Sequence, residues 1–155
     1  MNDKALREQL VALLKSGDAH QDFDSAVNDI PVADRGKRPA GAPHSPWELL
    51  EHVRIAQSDI LEYTRDAKHV SPEFPQGYWP ASPEPPNDSA WDASVAAFRA
   101  DRDAFSALVN DEATDLFAKI PHGKATLIGQ LILAADHNTY HLGQLVLVRR
   151  MLSGT

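Results

Sequence analysis

The sequence predicts an all-α protein, a four-helix bundle formed as one domain by residues 1–155. Four long segments carry apolar residues at helical spacing, no segment alternates apolar and polar residues as a strand does, and no unit repeats along the chain. A domain of about 150 residues buries roughly 68–70% of its unfolded surface. A single bundle with a sizeable core is therefore expected.

Two helical segments precede the first region rich in glycine and proline. Residues 3–16 carry four leucines at the i, i+4, i+7 and i+8 spacing of one helix face, namely Leu6, Leu10, Leu13 and Leu14. Residues 20–32 show a weaker pattern of the same kind, which predicts a short helix ended by Pro31. The density of glycine and proline then predicts a loop over residues 33–44.

The second long helix, predicted over residues 46–66, has three agreeing start signals. Ser45 is a favoured N-cap, Pro46 suits the first helical position, and Glu48 completes a capping box. The inward stripe of this helix consists of Leu49, Val53, Ala56, Ile60 and Tyr63. His52 lies within about 60° of that stripe, so its side chain is expected to point into the bundle.

Residues 67–87 form a long loop between the second and third long helices and hold six of the eleven prolines. A loop of this length in a compact domain is usually functional or disordered. The aromatic residues Phe74, Tyr78 and Trp79 favour an ordered segment. Two interpretations stay open: Tyr78 and Trp79 form a lid over a substrate, or the rings cap one end of the core.

Two further long helices complete the bundle. The third is predicted over residues 89–109, where an apolar stripe consists of Trp91, Val95, Phe98, Phe105 and Val109. A short helical piece is expected around residues 112–119. Thr126 can cap the last helix.

The last helix carries the pattern with the most chemical information. His137 and His141 stand four residues apart, so they share one helix face with Cβ atoms roughly 5–6 Å apart. Two imidazoles at that spacing can bind one metal ion at about 2.0–2.1 Å from each nitrogen. A pair at this spacing also arises by chance in a chain with seven histidines, and ordinary core histidines are the alternative.

Together, His52, His137 and His141 offer three nitrogen donors from two helices of a bundle core, which is where such folds place metal ions. Three protein ligands leave a coordination position open, as in reactive sites, whereas structural zinc sites are usually closed by four. Glu48 and Asp59 share the side of His52; they are candidate catalytic groups for orienting a ligand or moving protons, or else solvated carboxylates. The remaining histidines, His20, His44, His69 and His122, are expected in solvent.

The composition limits the kinds of partner. A formal net charge of −7 argues against nucleic acid and against an anionic membrane as the main partner. Cysteine is absent, so any metal ion must be bound by histidine, carboxylate or water. No basic start precedes an apolar segment, and no uncharged apolar segment approaches the length of a membrane span. A cytoplasmic protein is expected.

Two segments, WELLEHVRIAQ around His52 and DHNTYHLGQL around His137 and His141, resemble the DinB-like (damage-inducible) superfamily of metal-binding four-helix bundles. The resemblance rests on an inward histidine in the second helix together with HxxxHxGQ in the last, and it covers the helical frame of most of the chain. It implies that these three histidines are metal ligands, that the bundle runs up-down-down-up, and that homodimers form. The last helix also has a second apolar face, which agrees with a homodimer.

The resemblance implies less about chemistry. Characterised relatives include divalent-metal-dependent transferases and isomerases that use low-molecular-weight thiols such as mycothiol or bacillithiol, whose sulfur the ion would bind. The expected function is therefore a thiol transferase that uses a Zn, Ni or Fe ion, a thiol and a small-molecule substrate. The alternatives are a metal-stabilised binding or stress-response module without turnover, and a helical homodimer with satisfied core histidines. The proline-rich segment 67–87 departs from the family, so the resemblance names no substrate.

Overall fold

The computed structural model of the chain describes residues 3–15, 19–120 and 123–154. Its helices are α1 (Lys4–Lys15), α2 (Phe23–Asn28), α3 (Pro46–Arg65), α4 (Ala90–Asn110) and α5 (Leu127–Ser153), with single 3-10 turns at Val32–Asp34 and Gln76–Tyr78. Within the described ranges there is no β-strand, and one isolated bridge joins Lys119 to Thr126. The predicted all-α bundle is confirmed. Of the predicted positions, residue 16 and His122 lie outside the described residues.

Helices α3 and α5 begin at the predicted caps. At the start of α3, the Ser45 hydroxyl accepts a hydrogen bond from the Glu48 amide at 3.2 Å, and the Glu48 carboxylate accepts one from the Ser45 amide at 2.8 Å. Thr126 caps α5 by accepting from the Gly129 amide at 3.2 Å. Gly154 ends α5 with φ of 73°, a left-handed conformation that glycine adopts without steric cost.

The core forms where α3 packs against both α4 and α5. The predicted stripes of α3 and α4 supply many of its side chains: Leu49, Val53 and Ala56 are at most 5% exposed, and Trp91, Val95, Phe98, Phe105 and Val109 at most 6%. Residues of α2, Phe23, Ala26 and Val27, extend one end of this core. The two histidine-bearing helices, α3 and α5, are thus held side by side along their length.

A buried polar bridge joins three helices and was not predicted. Gln57 on α3 is fully buried, its amide nitrogen donates to the Phe98 carbonyl of α4 at 2.8 Å, and its amide oxygen accepts from Asn138 of α5 at 2.9 Å. Buried amides need such partners, because an unpaired buried polar group costs about 1–3 kcal/mol. The bridge therefore fixes how α3, α4 and α5 lie against one another beside His137.

The short helical piece predicted around residues 112–119 is wrong, because these residues form turns. The carboxylate of Asp111 accepts from the Ala113 amide at 3.0 Å, and that of Asp115 accepts from the Phe117 amide at 2.9 Å. Aspartate side chains that bind amides two residues on compete with the helical backbone pattern. Arg7 of α1 completes this region by donating to the Val109 carbonyl at 2.6 Å.

None of the described helices has the length and apolar character of a membrane span.

Candidate metal centre

The three predicted histidines converge between α3 and α5. The Nε2 atom of His52 lies 3.0 Å from Nε2 of His141 and 3.1 Å from Nε2 of His137. One donor atom from each ring falls within 4.8 Å of the other two. Two nitrogens bound to one tetrahedral ion at about 2.0–2.1 Å stand about 3.4 Å apart. The observed spacing is close to that of ligands around one shared ion.

Hydrogen bonds on the far side of two rings fix which nitrogen is free to bind. Nδ1 of His52 donates to the Tyr78 carbonyl at 2.9 Å, and Nδ1 of His141 donates to the Gln144 side-chain oxygen at 2.8 Å. A carbonyl oxygen only accepts, so each Nδ1 carries the proton and each neutral ring turns a bare Nε2 lone pair inwards. Lone pairs facing each other at 3.0 Å repel, and a cation between them removes that repulsion. Partners of this kind are usual behind metal-binding histidines.

Burial keeps the three rings neutral. It lowers the pKa of His52 and His141 below the ordinary value, and it lowers the pKa of His137 to about 4, with the neighbouring His141 and His52 adding to the effect. Histidine binds metal ions in its deprotonated form. At neutral pH, therefore, no proton has to leave the rings before an ion binds.

These pKa shifts predict a pH dependence of the metal-free protein. The pKa of His137 falls from 6.5 to about 4 on folding, so between these values the unfolded chain binds more protons and the free energy of unfolding rises with pH. The contribution of neutral His137 to the free energy of unfolding is complete above pH 6.5 and is lost as the pH falls towards 4. We expect chelator-treated protein to unfold at a lower urea concentration at pH 5 than at pH 7.5. His137→Gln should flatten this dependence, whereas exposed His20→Gln should not; an unchanged slope in His137→Gln would contradict the shift.

Trp79 covers one side of the triad. Its ring stacks on His52 with a centroid distance of 3.9 Å and an interplanar angle of 2°, and also on His44 at 4.0 Å and 17°. His44, predicted to lie in solvent, therefore stacks on the same indole as a candidate ligand. The prediction for His44 is wrong because the stack joins the loop before α3 to the proline-rich loop, a contact that local sequence does not reveal.

Asp59 anchors the proline-rich loop to α3. Its carboxylate accepts a hydrogen bond from the Tyr78 hydroxyl at 2.6 Å and lies 2.7 Å from Nε2 of His69. Burial and the Asp59 carboxylate raise the pKa of Tyr78 to about 12, so the hydroxyl stays a donor. His69, also predicted in solvent, is instead partly buried at this anchor. The Tyr78 carbonyl accepts from His52, so Tyr78 contacts both Asp59 and a histidine of the triad.

Glu48 is engaged at the start of α3. Its carboxylate accepts from the Ser45 amide at 2.8 Å and pairs with the Arg38 guanidinium, whose Nε lies at 2.8 Å. Burial alone would raise the pKa of Glu48, but the bonds from Arg38 and Ser45 outweigh it and lower the pKa.

Phe74, the third aromatic residue of the proline-rich loop, is 83% exposed and takes no part in covering the triad.

The hydrogen bond from His141 Nδ1 to the Gln144 side chain predicts the effect of Gln144→Leu. In the sequence, Gln144 is the last residue of the HxxxHxGQ pattern and had no assigned partner; its position three residues after His141 is the signal that points to it. Removing the acceptor behind His141 should weaken metal affinity about 10–100-fold, as measured by competition with a chromophoric chelator. Gln144→Glu keeps an acceptor oxygen and should retain most of the affinity. Equal affinities for wild type and Gln144→Leu would exclude the orienting role.

Comparison with known proteins identifies one family. A family model described as DinB superfamily matches residues 17–145, which include all three histidines of the triad and Gln144. The chain matches no curated protein and no solved structure closely enough to name a relative.

Proposed function

Because the chain belongs to the DinB superfamily, we propose that it is a divalent-metal-dependent enzyme that transfers a low-molecular-weight thiol to a small-molecule substrate. The proposal is carried by three neutral imidazoles whose Nε2 atoms converge to 3.0–3.1 Å around His52. A Zn, Ni or Fe ion held by them would leave a position open to a thiol and lower the pKa of its sulfur.

Each residue around the triad has a separate task in this proposal. His52, His137 and His141 bind the ion, while the Tyr78 carbonyl and Gln144 hold two of the rings in the required tautomer. Trp79 keeps water from one face of His52, and with Tyr78 it forms the substrate lid. Asp59 is a positioning residue that acts through Tyr78, and Glu48 supports the start of α3.

The direct test of turnover combines metal-loaded protein with a panel of low-molecular-weight thiols and electrophiles. We expect at least one pair to be consumed only when metal is present, and the rate to vanish in His137→Ala. A protein that binds metal through the triad but consumes no pair would overturn the transferase proposal.

One observation favours a second candidate function, a metal-stabilised binding or stress-response module without turnover. Both carboxylates predicted near His52 are engaged, Glu48 by Arg38 and Ser45, and Asp59 by Tyr78 and His69. In such a module, chelation lowers the melting temperature sharply while no thiol is consumed.

The proposal includes a homodimer in the cytoplasm, where low-molecular-weight thiols are kept reduced. The second apolar face of α5 turns Ala135 and Leu142 into the core and leaves Ile132 50% exposed. On the histidine face, Leu133 and Tyr140 are 48% and 64% exposed. An exposed apolar patch on a helix favours association. Sedimentation equilibrium of the wild type and of Tyr140→Lys tests this part.

A further inference from the structure

A cavity of about 170 Å³ lies between the loop that precedes α3 and the C-terminal half of α5. Its walls are mainly apolar, and the side chains that matter here are Ala42, Pro43, Leu49, Leu147, Val148 and Met151. None of the described residues that line it is an aspartate, glutamate, lysine or arginine. Placing a charged group in such surroundings without a partner is costly, so the cavity favours an uncharged occupant.

The size of the cavity indicates the size of that occupant. A cavity of about 150 Å³ lined by aliphatic and aromatic side chains holds one benzene molecule. The 170 Å³ available here therefore accommodates one benzene-sized ring or a branched alkyl group of similar volume. Burying the ring is favourable by roughly 25 cal/mol for each Å² of apolar surface removed from water.

Two polar residues in the cavity wall connect it to the metal centre. His44 stacks on Trp79, which in turn stacks on His52, with centroid distances of 4.0 and 3.9 Å. Gln144, also in the cavity wall, accepts the hydrogen bond from His141. Gln144 thus contacts His141 directly, and only the Trp79 side chain separates His44 from His52.

We infer that this cavity binds an uncharged, benzene-sized group belonging to the compound that reacts at the triad. The inference rests on the proposed function and adds a substrate class to it: a small molecule with an aryl or bulky alkyl group beside its reacting atom. A compound whose only side group is a carboxylate or an ammonium finds no described partner of opposite charge in these walls.

Occupancy of the cavity is measured without metal, with toluene as the probe. In methyl-detected NMR of the chelator-treated protein, toluene should shift the signals of Leu147, Val148 and Met151. Ala42→Phe adds one phenyl group, the size of the expected occupant, and should weaken toluene binding at least tenfold. Ala40→Phe places the same group at an exposed position of the same loop and should bind toluene as the wild type does. Unshifted methyl signals at saturating toluene would overturn the inference.

The link to the metal centre is measured with cobalt-loaded protein and two thiols of similar acidity, benzyl mercaptan and 2-mercaptoethanol. The sulfur-to-cobalt charge-transfer band reports binding of each. We expect benzyl mercaptan to bind at least tenfold more tightly, and Ala42→Phe, but not Ala40→Phe, to lose that preference. Equal affinities for the two thiols would overturn the inference and leave the proposed function standing. If neither thiol produces the band, thiol binding at the triad fails, whatever the toluene experiment gives.

Discussion

His52→Ala is expected to reduce the metal content of the purified protein from near one ion per chain to near zero. His52 Nε2 is the atom that contacts both other ligand nitrogens, at 3.0 and 3.1 Å, so its removal leaves only two donors on one helix. Loss of a residue that merely orients a ligand costs about 10–100-fold in affinity, and loss of a ligand itself should cost more. Elemental analysis of protein purified without a histidine tag measures this content.

Two comparisons keep the His52 result interpretable. His20→Ala removes an exposed histidine and should leave the metal content unchanged. The metal-free wild type and His52→Ala should have similar helical circular dichroism, because the bundle core does not depend on this ring. Full metal content in a folded His52→Ala protein would show that the ion binds elsewhere.

Gln57→Leu should lower the free energy of unfolding by about 2–3 kcal/mol, the second large effect we expect. The substitution removes both hydrogen bonds of a fully buried side chain and leaves the Asn138 amide without its acceptor at the junction of three helices. Urea denaturation of the metal-free protein measures the change.

Gln9→Leu is the matched substitution, since Gln9 is exposed on α1 and changes there usually stay within about 0.5 kcal/mol. If both variants unfold at the same urea concentration, the buried bridge contributes nothing measurable. A loss of metal affinity in Gln57→Leu in addition to its loss of stability would indicate that the bridge also positions His137, the neighbour of Asn138.

Much of the fold follows from local sequence. The first three long helices lie within one residue of the ranges that apolar spacing predicts. Helices α3 and α5 begin at their predicted caps, because Ser45 with Glu48, and Thr126, satisfy the first amides from within a few residues. The turns at residues 111–120 were not predicted, since aspartate side chains compete there with helical hydrogen bonds. The polar bridge of Gln57 was not predicted either, because its partners lie 41 and 81 residues away.

In the candidate site, too, local sequence predicts some features, and contacts between distant residues set the others. Helical spacing places His137 and His141 on one face of α5 and turns His52 inwards on α3, and the resemblance to the DinB-like superfamily joins the three, so the triad was accessible from the sequence. The Tyr78 carbonyl behind His52 is a backbone atom of an irregular loop, and no residue pattern marks it. The stack of His44 on Trp79 joins residues 35 positions apart in two loops, which is why His44 was expected in solvent.

The most direct test of the metal centre is anomalous diffraction from crystals grown with zinc, recorded on both sides of the zinc absorption edge. The predicted result is one strong peak at about 2.0–2.1 Å from the Nε2 atoms of His52, His137 and His141. A peak bound by other residues, or full zinc occupancy with these three rings turned away from the ion, would contradict a shared site between α3 and α5.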